Sequence, residues 1–488
     1  MHDFARNGVL ILVGAPFYDA AHGGILMCTS LFHPREECFT MDARSLTPAD
    51  LSRAHASFAD CTCNAIARNA VTSVGVRKAA RDPQAVALAS TTFDVQLTQG
   101  DVCDQERSGR CWMFASLNTM RFRIMKKLKL KTFELSQSYP LFWDKYERCN
   151  WFFEHVIETA GEPLASRDIA FLLADPLCDG GQWDMFASLV KKYGVVPKEA
   201  MPETACSSNT GDLDGYLTRY IRMGAKRLRE AVRTGAEADE VAAIKRELMD
   251  GCYRVLAICL GEPPASFEAR IRDKDDKLVV NGTYTPIDFF REFVDMNLDD
   301  FVSVINAPTD DKPYLHSYSV KFLGNVIEDG GVRHVNLPIE ALKRAAIAQL
   351  KDGLPVWFGS DVDQGFLPAD GVLDPDALDV DTLFGLPIEA GLDKAARLDY
   401  GESLMTHAMT LQGVSLDAEG NPTRWRIENS WGDDHGKDGY DIASDRWFDE
   451  YVYQVVVDKK YLTAEELAAY EMEPIELAPW DPMGALAH

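Results

Sequence analysis

The sequence predicts an α+β fold, with a mainly helical half followed by a half that is richer in β-strands. In the first half, apolar residues recur at steps of three and four, which is the period of a helix with one buried face. In the second half, short apolar runs are typical of buried strands. A long helical pattern over about residues 212–260 indicates a large insertion between the two halves.

Residues 1–44 form an N-terminal extension without a sustained hydrophobic period. Thr47 followed by Pro48 is the pair expected at the N-cap and first position of a helix. We therefore expect Met41 to be the native start, so that most of this extension is not native. The intact mass of the natural protein tests this expectation, and a mass that includes residue 1 contradicts it.

Residues 45–205 are predicted to form the helical half. The clearest helix begins at Arg110, directly after Gly109, and its apolar residues return to one face. Gly194 is expected to stop the last helix. The helices predicted in this half cover residues 110–128, 139–156 and 183–193.

Residues 206–300 are predicted to be an inserted subdomain of helices and a hairpin. The helical pattern is expected to break at Gly235. The dipeptide Asn281-Gly282, between two short apolar runs, is typical of a two-residue β-hairpin turn. We therefore expect the chain to reverse at this dipeptide.

Residues 301–470 are predicted to form the strand-rich half, which a C-terminal arm follows at 471–488. A helix from Ile339 is expected to end near Gly353. The arm contains three prolines and, taken alone, predicts an extended and weakly structured segment. The strands predicted in this half cover residues 355–359, 409–414, 423–428 and 451–457.

The charge balance of the chain restricts its partners. Acidic residues outnumber basic ones, and the formal net charge is −26. Such a field repels phosphate backbones and anionic membrane surfaces, so we expect no nucleic-acid partner and no membrane association. In addition, no segment approaches the roughly 20 apolar residues needed to cross a bilayer.

Cysteine usage favours a reducing compartment. The chain has 11 cysteines, and Cys61-Thr62-Cys63 has neither zinc-ligand nor thioredoxin spacing. Most of the cysteines are expected to be reduced, buried residues. Because no convincing export signal precedes them, we expect a cytoplasmic protein without a metal site.

Cys111 is the first candidate for chemistry because it lies at the start of the predicted helix. Unpaired N–H groups and the helix dipole stabilise a thiolate there, and an imidazolium partner can lower its pKa to about 3–4 from about 8.5. Gln105, six residues upstream, can point its amide at the same place as the backbone N–H of Cys111, which would form an oxyanion hole. Taken alone, a cysteine at a helix start can equally be a buried structural thiol.

His407 and Asn429 are the candidate partners of this thiol. His407 begins a predicted strand, and the small Ala408 after it would let the imidazole face a cleft. The side-chain oxygen of Asn429 can fix the imidazole tautomer, and the Trp431 indole can shield that hydrogen bond from water. Taken alone, a histidine at a strand start is usually structural, and an asparagine is common in polar turns.

In combination, these segments resemble the papain superfamily of cysteine peptidases. A helix-start Cys, a downstream His and the motif Asn429-Ser430-Trp431-Gly432 occur here in the order of that superfamily. The run Cys178-Asp179-Gly180-Gly181 resembles its Cys-x-Gly-Gly segment, whose glycine backbone pairs with the substrate chain. The resemblance implies a papain-like fold with the active site between the two halves, and substrate contacts at Gly180, Gly181 and Trp431.

One difference from papain-type sequences indicates which branch of the superfamily this chain resembles. Cys111 and His407 are 296 positions apart, against about 130–150 in papain-type enzymes. The bleomycin hydrolase branch, which includes bacterial aminopeptidase C, has such insertions, and this chain resembles it over about residues 45–488. The segments that carry this resemblance are 108–112, 142–145, 180–185, 401–410 and 480–487.

The resemblance to this branch implies a specific function for the C-terminal arm. Members assemble as a hexameric barrel with the arm in the substrate cleft, where its terminal carboxylate can pair with the α-amine of a peptide. An α-amine of pKa about 8 is largely cationic at neutral pH and needs an anionic partner when it is desolvated. The resemblance therefore implies a homohexamer that releases N-terminal residues from peptides through a thioester. The carboxylate would belong to His488, or to Ala487 if the last residue is trimmed.

Two other functions stay open at this point: a cysteine endopeptidase without N-terminal preference, and a non-enzymatic oligomeric scaffold. The complete set of Cys111, His407, Asn429 and Gln105 counts against the scaffold. The intact arm counts against the endopeptidase. The motifs of serine hydrolases, zinc peptidases and nucleotide-binding proteins do not occur in the sequence, and no cofactor is expected.

Overall fold

The structure is a computed structural model that describes residues 45–97, 100–434 and 436–487. The predicted N-terminal extension, including the expected start at Met41, lies outside the described residues. Contacts divide the chain into two units, residues 1–66 and residues 67–488, and the predicted site residues belong to the second.

The helices of the described residues follow the sequence prediction closely. The helix predicted from Arg110 begins at Cys111, and the helix expected to stop at Gly194 ends at Tyr193, with Gly194 at a φ of 75°. The long helical pattern is interrupted at Gly235, where φ is 79°. The α-helices are α1 (Pro48–Ala59), α2 (Thr62–Val74), α3 (Val76–Ala80), α4 (Pro83–Leu88), α5 (Cys111–Leu128), α6 (Ser138–Glu158), α7 (Arg167–Ala174), α8 (Trp183–Tyr193), α9 (Gly211–Arg233), α10 (Ala238–Leu260), α11 (Pro286–Phe289), α12 (Ile339–Lys351), α13 (Val380–Phe384), α14 (Lys394–Tyr400), α15 (Asp445–Tyr451) and α16 (Ala464–Tyr470).

The strands form one large mixed sheet and one separate hairpin. The order in the large sheet is β14-β5-β6-β4-β13-β7-β10-β11-β12-β9-β8, with β1 also paired to β10. Strands β2 and β3 form the hairpin. The strands are β1 (Val95–Gln96), β2 (Phe267–Arg272), β3 (Leu278–Tyr284), β4 (Phe301–Ile305), β5 (His316–Val320), β6 (His334–Asn336), β7 (Val356–Ser360), β8 (Phe366–Leu367), β9 (Val372–Leu373), β10 (His407–Leu416), β11 (Pro422–Glu428), β12 (Tyr440–Ser444), β13 (Val452–Asp458) and β14 (Ile475–Leu477).

The large sheet separates two apolar cores. In strand β7, Trp357 belongs to the core shared with helices α5, α6, α8, α9 and α10. Its neighbours Val356 and Phe358 belong to the core shared with α12 and α15. This alternation follows from the two-residue period of a strand, and it places β10, which carries His407, against α5, which carries Cys111. The structure therefore has the helical and strand-rich halves of the predicted α+β, papain-like fold.

The turn of the β2–β3 hairpin differs from the prediction. Asn281 and Gly282 lie inside β3, paired with Arg270 and Ala269, and the chain reverses at residues 273–277 instead. The Asp273 carboxylate accepts the backbone N–H groups of residues 275 and 277 at 2.9 Å, which closes this turn without the Asn-Gly pair.

The C-terminal arm is also more ordered than its composition predicts. Strand β14 pairs in parallel with β5 at the end of the sheet, and residues Pro482–Ala487 form a 3₁₀ helix. The side chains of Met483 and Leu486 are buried in the first core. Long-range packing therefore overrides the local tendency of a proline-rich tail to stay extended.

Most of the cysteines among the described residues are unpaired. Cys61 and Cys63 form a disulfide. Within the described part of the chain, none of the helices combines the length and apolar character that crossing a bilayer requires. The free cysteines among the described residues are Cys103, Cys111, Cys149, Cys178, Cys206, Cys252 and Cys259.

Candidate active site

Cys111 is the first residue of α5 and lies almost fully out of solvent, with 4% of its surface exposed. The backbone N–H of Ala408 lies 3.5 Å from its Sγ atom, so the start of β10 contacts the thiol directly. Burial raises the pKa of the Cys111 thiol to about 11, although the N–H groups of Ala408 and Trp112 favour the thiolate. In this closed arrangement desolvation outweighs the N–H groups, and the lowering of the thiol pKa by an imidazolium partner stays a prediction.

His407 and Asn429 form a hydrogen-bonded pair on the neighbouring strands β10 and β11. Asn429 Oδ1 accepts from His407 Nε2 at 2.8 Å, and Asn429 Nδ2 donates to Asp441 Oδ2 at 2.9 Å. Because an ionised carboxylate only accepts, Asp441 fixes the orientation of the amide so that its oxygen faces the imidazole. The pair is buried, with His407 5% and Asn429 0% exposed.

Trp431 covers the imidazole, as its position in the sequence predicts. The two ring centroids lie 4.6 Å apart, with the planes tilted by 30°. The Trp431 ring in turn packs against Phe366, with the two ring centroids 5.9 Å apart. An apolar cover of this kind keeps water away from the His407–Asn429 hydrogen bond and so strengthens it.

Gln105 lies in the loop before α5, with its side-chain amide held at both ends. Its Nε2 donates to the carbonyl oxygen of Ser108 at 2.6 Å, and its Oε1 accepts from Ser430 Oγ at 2.6 Å. The backbone N–H of Gln105 also donates to Ser430 O at 2.8 Å. The segment that carries Asn429 therefore positions the loop that precedes the nucleophile.

Gly180 and Gly181 lie beside Trp112, the residue that follows Cys111. A Cβ atom on Gly181 would lie 2.7 Å from the Trp112 ring, so only glycine fits there. The carbonyl oxygen of Gly180 accepts from the Arg148 guanidinium, which also donates to Asp144 at 2.8 Å. The glycine pair is thus held from one side by a tryptophan of the nucleophile turn and from the other by a buried arginine.

The C-terminal arm reaches the same region. Gln182, which follows the glycine pair, donates through Nε2 to Met483 O at 3.3 Å. Further along the arm, Asp481 pairs with the buried Lys312 at 3.0 Å, and the Arg167 guanidinium stacks 3.5 Å from the Trp480 ring centroid. Ala487 ends the short helix of the arm, and His488 lies outside the described residues.

A buried ion pair joins the nucleophile helix to the strand before Asn429. Arg121 of α5 pairs with Glu428 of β11, and both side chains are 2% exposed or less. Gln412 of β10 donates to the second oxygen of Glu428 at 2.6 Å. This pair links the helical half to the residue that orients the imidazole.

Several residues that support the site were not predicted from the sequence. Asp441, which holds Asn429, belongs to none of the recognised motifs. Lys145 and Asp179 lie inside segments that carry the resemblance, but their chemistry was not assigned. Among the described residues, no group of three or more metal-ligating side chains that could hold a metal ion occurs.

Comparison with known proteins points to one family. The model of the Peptidase C1-like family matches residues 45–484. An aminopeptidase C from Streptococcus thermophilus is 50% identical over 433 residues, which cover 88% of this chain and 97% of the relative. Bleomycin hydrolase from Homo sapiens is 45% identical over 392 residues, or 79% of this chain and 86% of the relative.

A solved structure agrees with this result. The crystal structure of PepW from Lactobacillus rhamnosis HN001 superposes with a TM-score of 0.88 at 47% identity. The match covers 90% of this chain and 99% of PepW.

Proposed function

This chain belongs to the Peptidase C1-like family and is a cysteine aminopeptidase, and we propose that Cys111, His407 and Asn429 perform its chemistry. The observation that carries the proposal is the contact of the His407 segment with the thiol. Ala408 N–H reaches Cys111 Sγ at 3.5 Å while Asn429 orients the imidazole from the other side.

The reaction proceeds through a thioester. Because His407 Nε2 donates to Asn429, the other ring nitrogen, Nδ1, takes the thiol proton as Cys111 Sγ attacks the carbonyl carbon of the first peptide bond. The tetrahedral intermediate collapses when His407 returns the proton to the leaving amine, and the C–N bond breaks. Water then attacks the thioester with His407 as base, which frees the amino acid and restores the thiol.

Gln105 and the backbone N–H of Cys111 are proposed to hold the oxyanion. The Gln105 amide has two N–H groups, and one of them is used by Ser108 O at 2.6 Å. Its Oε1 is fixed by Ser430, so the amide cannot rotate without losing that hydrogen bond. A donor that is positioned before the reaction contributes on the order of 3 kcal/mol to the transition state.

The C-terminal arm is proposed to give the enzyme its preference for free N-termini. Its terminal carboxylate, from His488 or Ala487, would bind the substrate α-amine, while Gly180, Gly181 and Trp431 line the path of the peptide. The contact of Met483 O with Gln182, next to the glycine pair, supports this position of the arm.

Deleting residues 485–488 is expected to admit cleavage of N-acetylated and internal bonds. Glu473→Gln, at an exposed position of the same arm, is the control; unchanged products after the deletion would refute the assignment.

The nucleophile assignment is tested with Cys111→Ala. The variant is expected to lose all measurable turnover of a free peptide while it keeps the melting temperature of the wild type. Full activity in this variant would exclude Cys111 as the nucleophile. Absence of turnover in the wild type itself would instead favour the oligomeric scaffold.

Assembly and location are proposed on the same resemblance. We propose a homohexamer, which light scattering coupled to gel filtration tests, and a monomer at working concentration would contradict it. We also propose that the enzyme acts on peptides in the reducing cytoplasm, where a free catalytic thiol persists. Fractionation of the natural source tests this location.

A further inference from the structure

A lysine without solvent contact lies behind the nucleophile turn. The Lys145 side chain on α6 is 0% exposed, and its Nζ lies 2.8 Å from Asp179 Oδ1 and 2.7 Å from Asp214 Oδ1. It also donates to Leu177 O at 2.6 Å. The ammonium charge therefore faces one carboxylate in the segment before the glycine pair and another at the start of α9.

Asp179 contacts the chain on both sides of Cys111. Its Oδ2 accepts the backbone N–H of Gly109 at 2.8 Å, and its main-chain oxygen accepts the Trp112 indole N–H at 2.7 Å. A Cβ atom on Gly109 would lie 2.7 Å from Asp179 Cβ, so the two segments pack as closely as glycine allows. Any shift of Asp179 is therefore transmitted to the turn that carries the thiol.

Two residues at the start of α9 complete the network. The Thr210 hydroxyl donates to Asp179 Oδ2, and the Asp214 carboxylate faces the same Lys145 ammonium group as Asp179. Burial raises the pKa of Asp214 and the neighbouring Asp179 adds to this effect, while Lys145 opposes it, so that the pKa lies at about 7. Below that pH, one lysine, one ionised Asp179 and one protonated Asp214 balance each other's charge.

We propose that Lys145, Asp179 and Asp214 form a positioning unit that fixes the Cys111 thiol and the backbone N–H groups around it for attack on the peptide. The proposal rests on the function assigned above and deepens it. Buried ion networks are a weak source of stability, because desolvation offsets their attraction. A network that ends on Gly109 and Trp112 is better explained by the geometry it imposes on the residue between them.

Asp179→Asn is the most direct test. One oxygen of the wild-type carboxylate faces the Lys145 ammonium group and the other accepts the Gly109 N–H, so in either orientation the amide directs an N–H at one of these two groups. We expect kcat to fall about 10–100-fold, with KM changed by less than about threefold, because displacement of reacting groups by about 1 Å costs up to 10²-fold. Alkylation of Cys111 by iodoacetamide, which needs no bound peptide, is expected to stay within about threefold of the wild type.

A matched variant outside the unit separates positioning from general destabilisation. Asp445 also pairs with a lysine, Lys343, at 3.0 Å, and accepts an indole N–H from Trp425 at 3.0 Å, but it lies in α15. Asp445→Asn should therefore lose comparable stability with kcat unchanged.

The outcomes are distinct. A folded Asp179→Asn with wild-type kcat, or an equal loss of kcat in Asp445→Asn, would overturn the proposal. If Asp179→Asn does not fold, Thr210→Val removes one hydrogen bond to the same carboxylate. It should lower kcat about 3–10-fold, the kinetic equivalent of one ordinary hydrogen bond, and an unchanged kcat would overturn the proposal. Failure of iodoacetamide to inactivate the wild type would contradict the proposed function instead.

Discussion

The side chains of the candidate site are held in position by hydrogen bonds to neighbouring side chains. Asn429 orients His407, and Asp441 in turn holds the Asn429 amide at 2.9 Å. Gln105 is fixed by Ser430, the residue after Asn429. Rate at such a site depends on the supporting hydrogen bonds as well as on the reacting groups, because a displaced imidazole cannot exchange its proton with the thiol.

Replacing Asn429 by alanine tests this dependence. The change removes the acceptor for His407 Nε2 but leaves the thiol and the imidazole in the chain. We expect kcat/KM to fall about 10–100-fold, which corresponds to the loss of about 1.5–3 kcal/mol for a hydrogen bond to a charged group. Steady-state kinetics on a free peptide measures this fall in kcat/KM, with Asn421→Ala in a distant exposed turn as control. Wild-type kinetics in Asn429→Ala would show that the imidazole needs no orienting partner.

The raised pKa of Asp214 predicts that the stability of the protein depends on pH. Its pKa is raised by burial to about 7 in the folded protein, from an ordinary value of 3.8. Between these values the folded state holds a proton that the unfolded state has released, so this group's contribution to stability falls as the pH rises from about 4 to 7. Asp179 has a lowered pKa, and its own effect lies below pH 4, outside this window.

The side chain in Asp214→Asn cannot ionise, so the free energy of unfolding of this variant should not show that fall as the pH rises. From pH 5 to pH 8, the variant is expected to gain on the order of 2 kcal/mol relative to the wild type in the free energy of unfolding. Urea unfolding at both pH values measures the difference. Asp212→Asn, an exposed carboxylate on the same helix, is the control. Parallel pH dependence in Asp214→Asn and the wild type would show that Asp214 does not hold this proton.

At the residue scale, the sequence predicts the candidate reacting groups but not the residues that support them. Cys111, His407 and Asn429 stand in motifs whose order and neighbours are recognisable without a structure. Asp441 and Asp179 act through contacts with segments that are far away in the sequence, and an isolated aspartate gives no signal of such a contact. The sequence also does not show that burial raises the pKa of the Cys111 thiol, because that burial is a property of the folded chain.

Among the secondary-structure elements, helices α6, α9 and α10 pack tightly around a glycine. A Cβ atom on Gly224 of α9 would lie 2.9 Å from Leu248 of α10 and 2.9 Å from Phe153 of α6. Both neighbours are fully buried, so their side chains have no free space to move into. The helices approach each other this closely because the position has no side chain.

Gly224→Ala is therefore expected to destabilise the protein although alanine favours helices. Overpacking costs about 1–3 kcal/mol, which exceeds the gain of up to about 1 kcal/mol in helix propensity. Gly215→Ala on the same helix is a matched control, because nothing lies within 4 Å of its added Cβ, and it should be neutral or stabilising. Thermal unfolding compares the two variants. Equal melting temperatures would contradict close packing at Gly224.

Helix ends were more predictable than turns. Pro48, Gly194 and Gly235 act through the backbone of their own segment, so their effect is visible in the sequence. The hairpin turn was misplaced because Asn281-Gly282 is a strong local signal that Asp273 overrides with two backbone hydrogen bonds. The division into segments 45–205, 206–300, 301–470 and 471–488 stays a prediction.

For the whole molecule, the site depends on contacts between parts of the chain that are hundreds of residues apart. Arg121 and Glu428 join the helical half to the strand-rich half, and Lys312 with Asp481 fixes the arm. The arm was expected to be extended because its composition is rich in proline, but Met483 and Leu486 are buried in the first core. Such docking depends on the completed surface, which no local pattern in the arm describes.

The preference for free N-termini is tested most directly by the ratio of kcat/KM for two peptides that differ only in N-terminal acetylation. An aminopeptidase whose arm carboxylate binds the α-amine loses its ion pair with the acetylated peptide. Removing one partner of a buried ion pair costs about 3–5 kcal/mol, because it leaves the other charge buried without compensation. We therefore expect the free peptide to be preferred by at least about 100-fold. Equal kcat/KM for the two peptides would contradict the central claim and identify the enzyme as an endopeptidase.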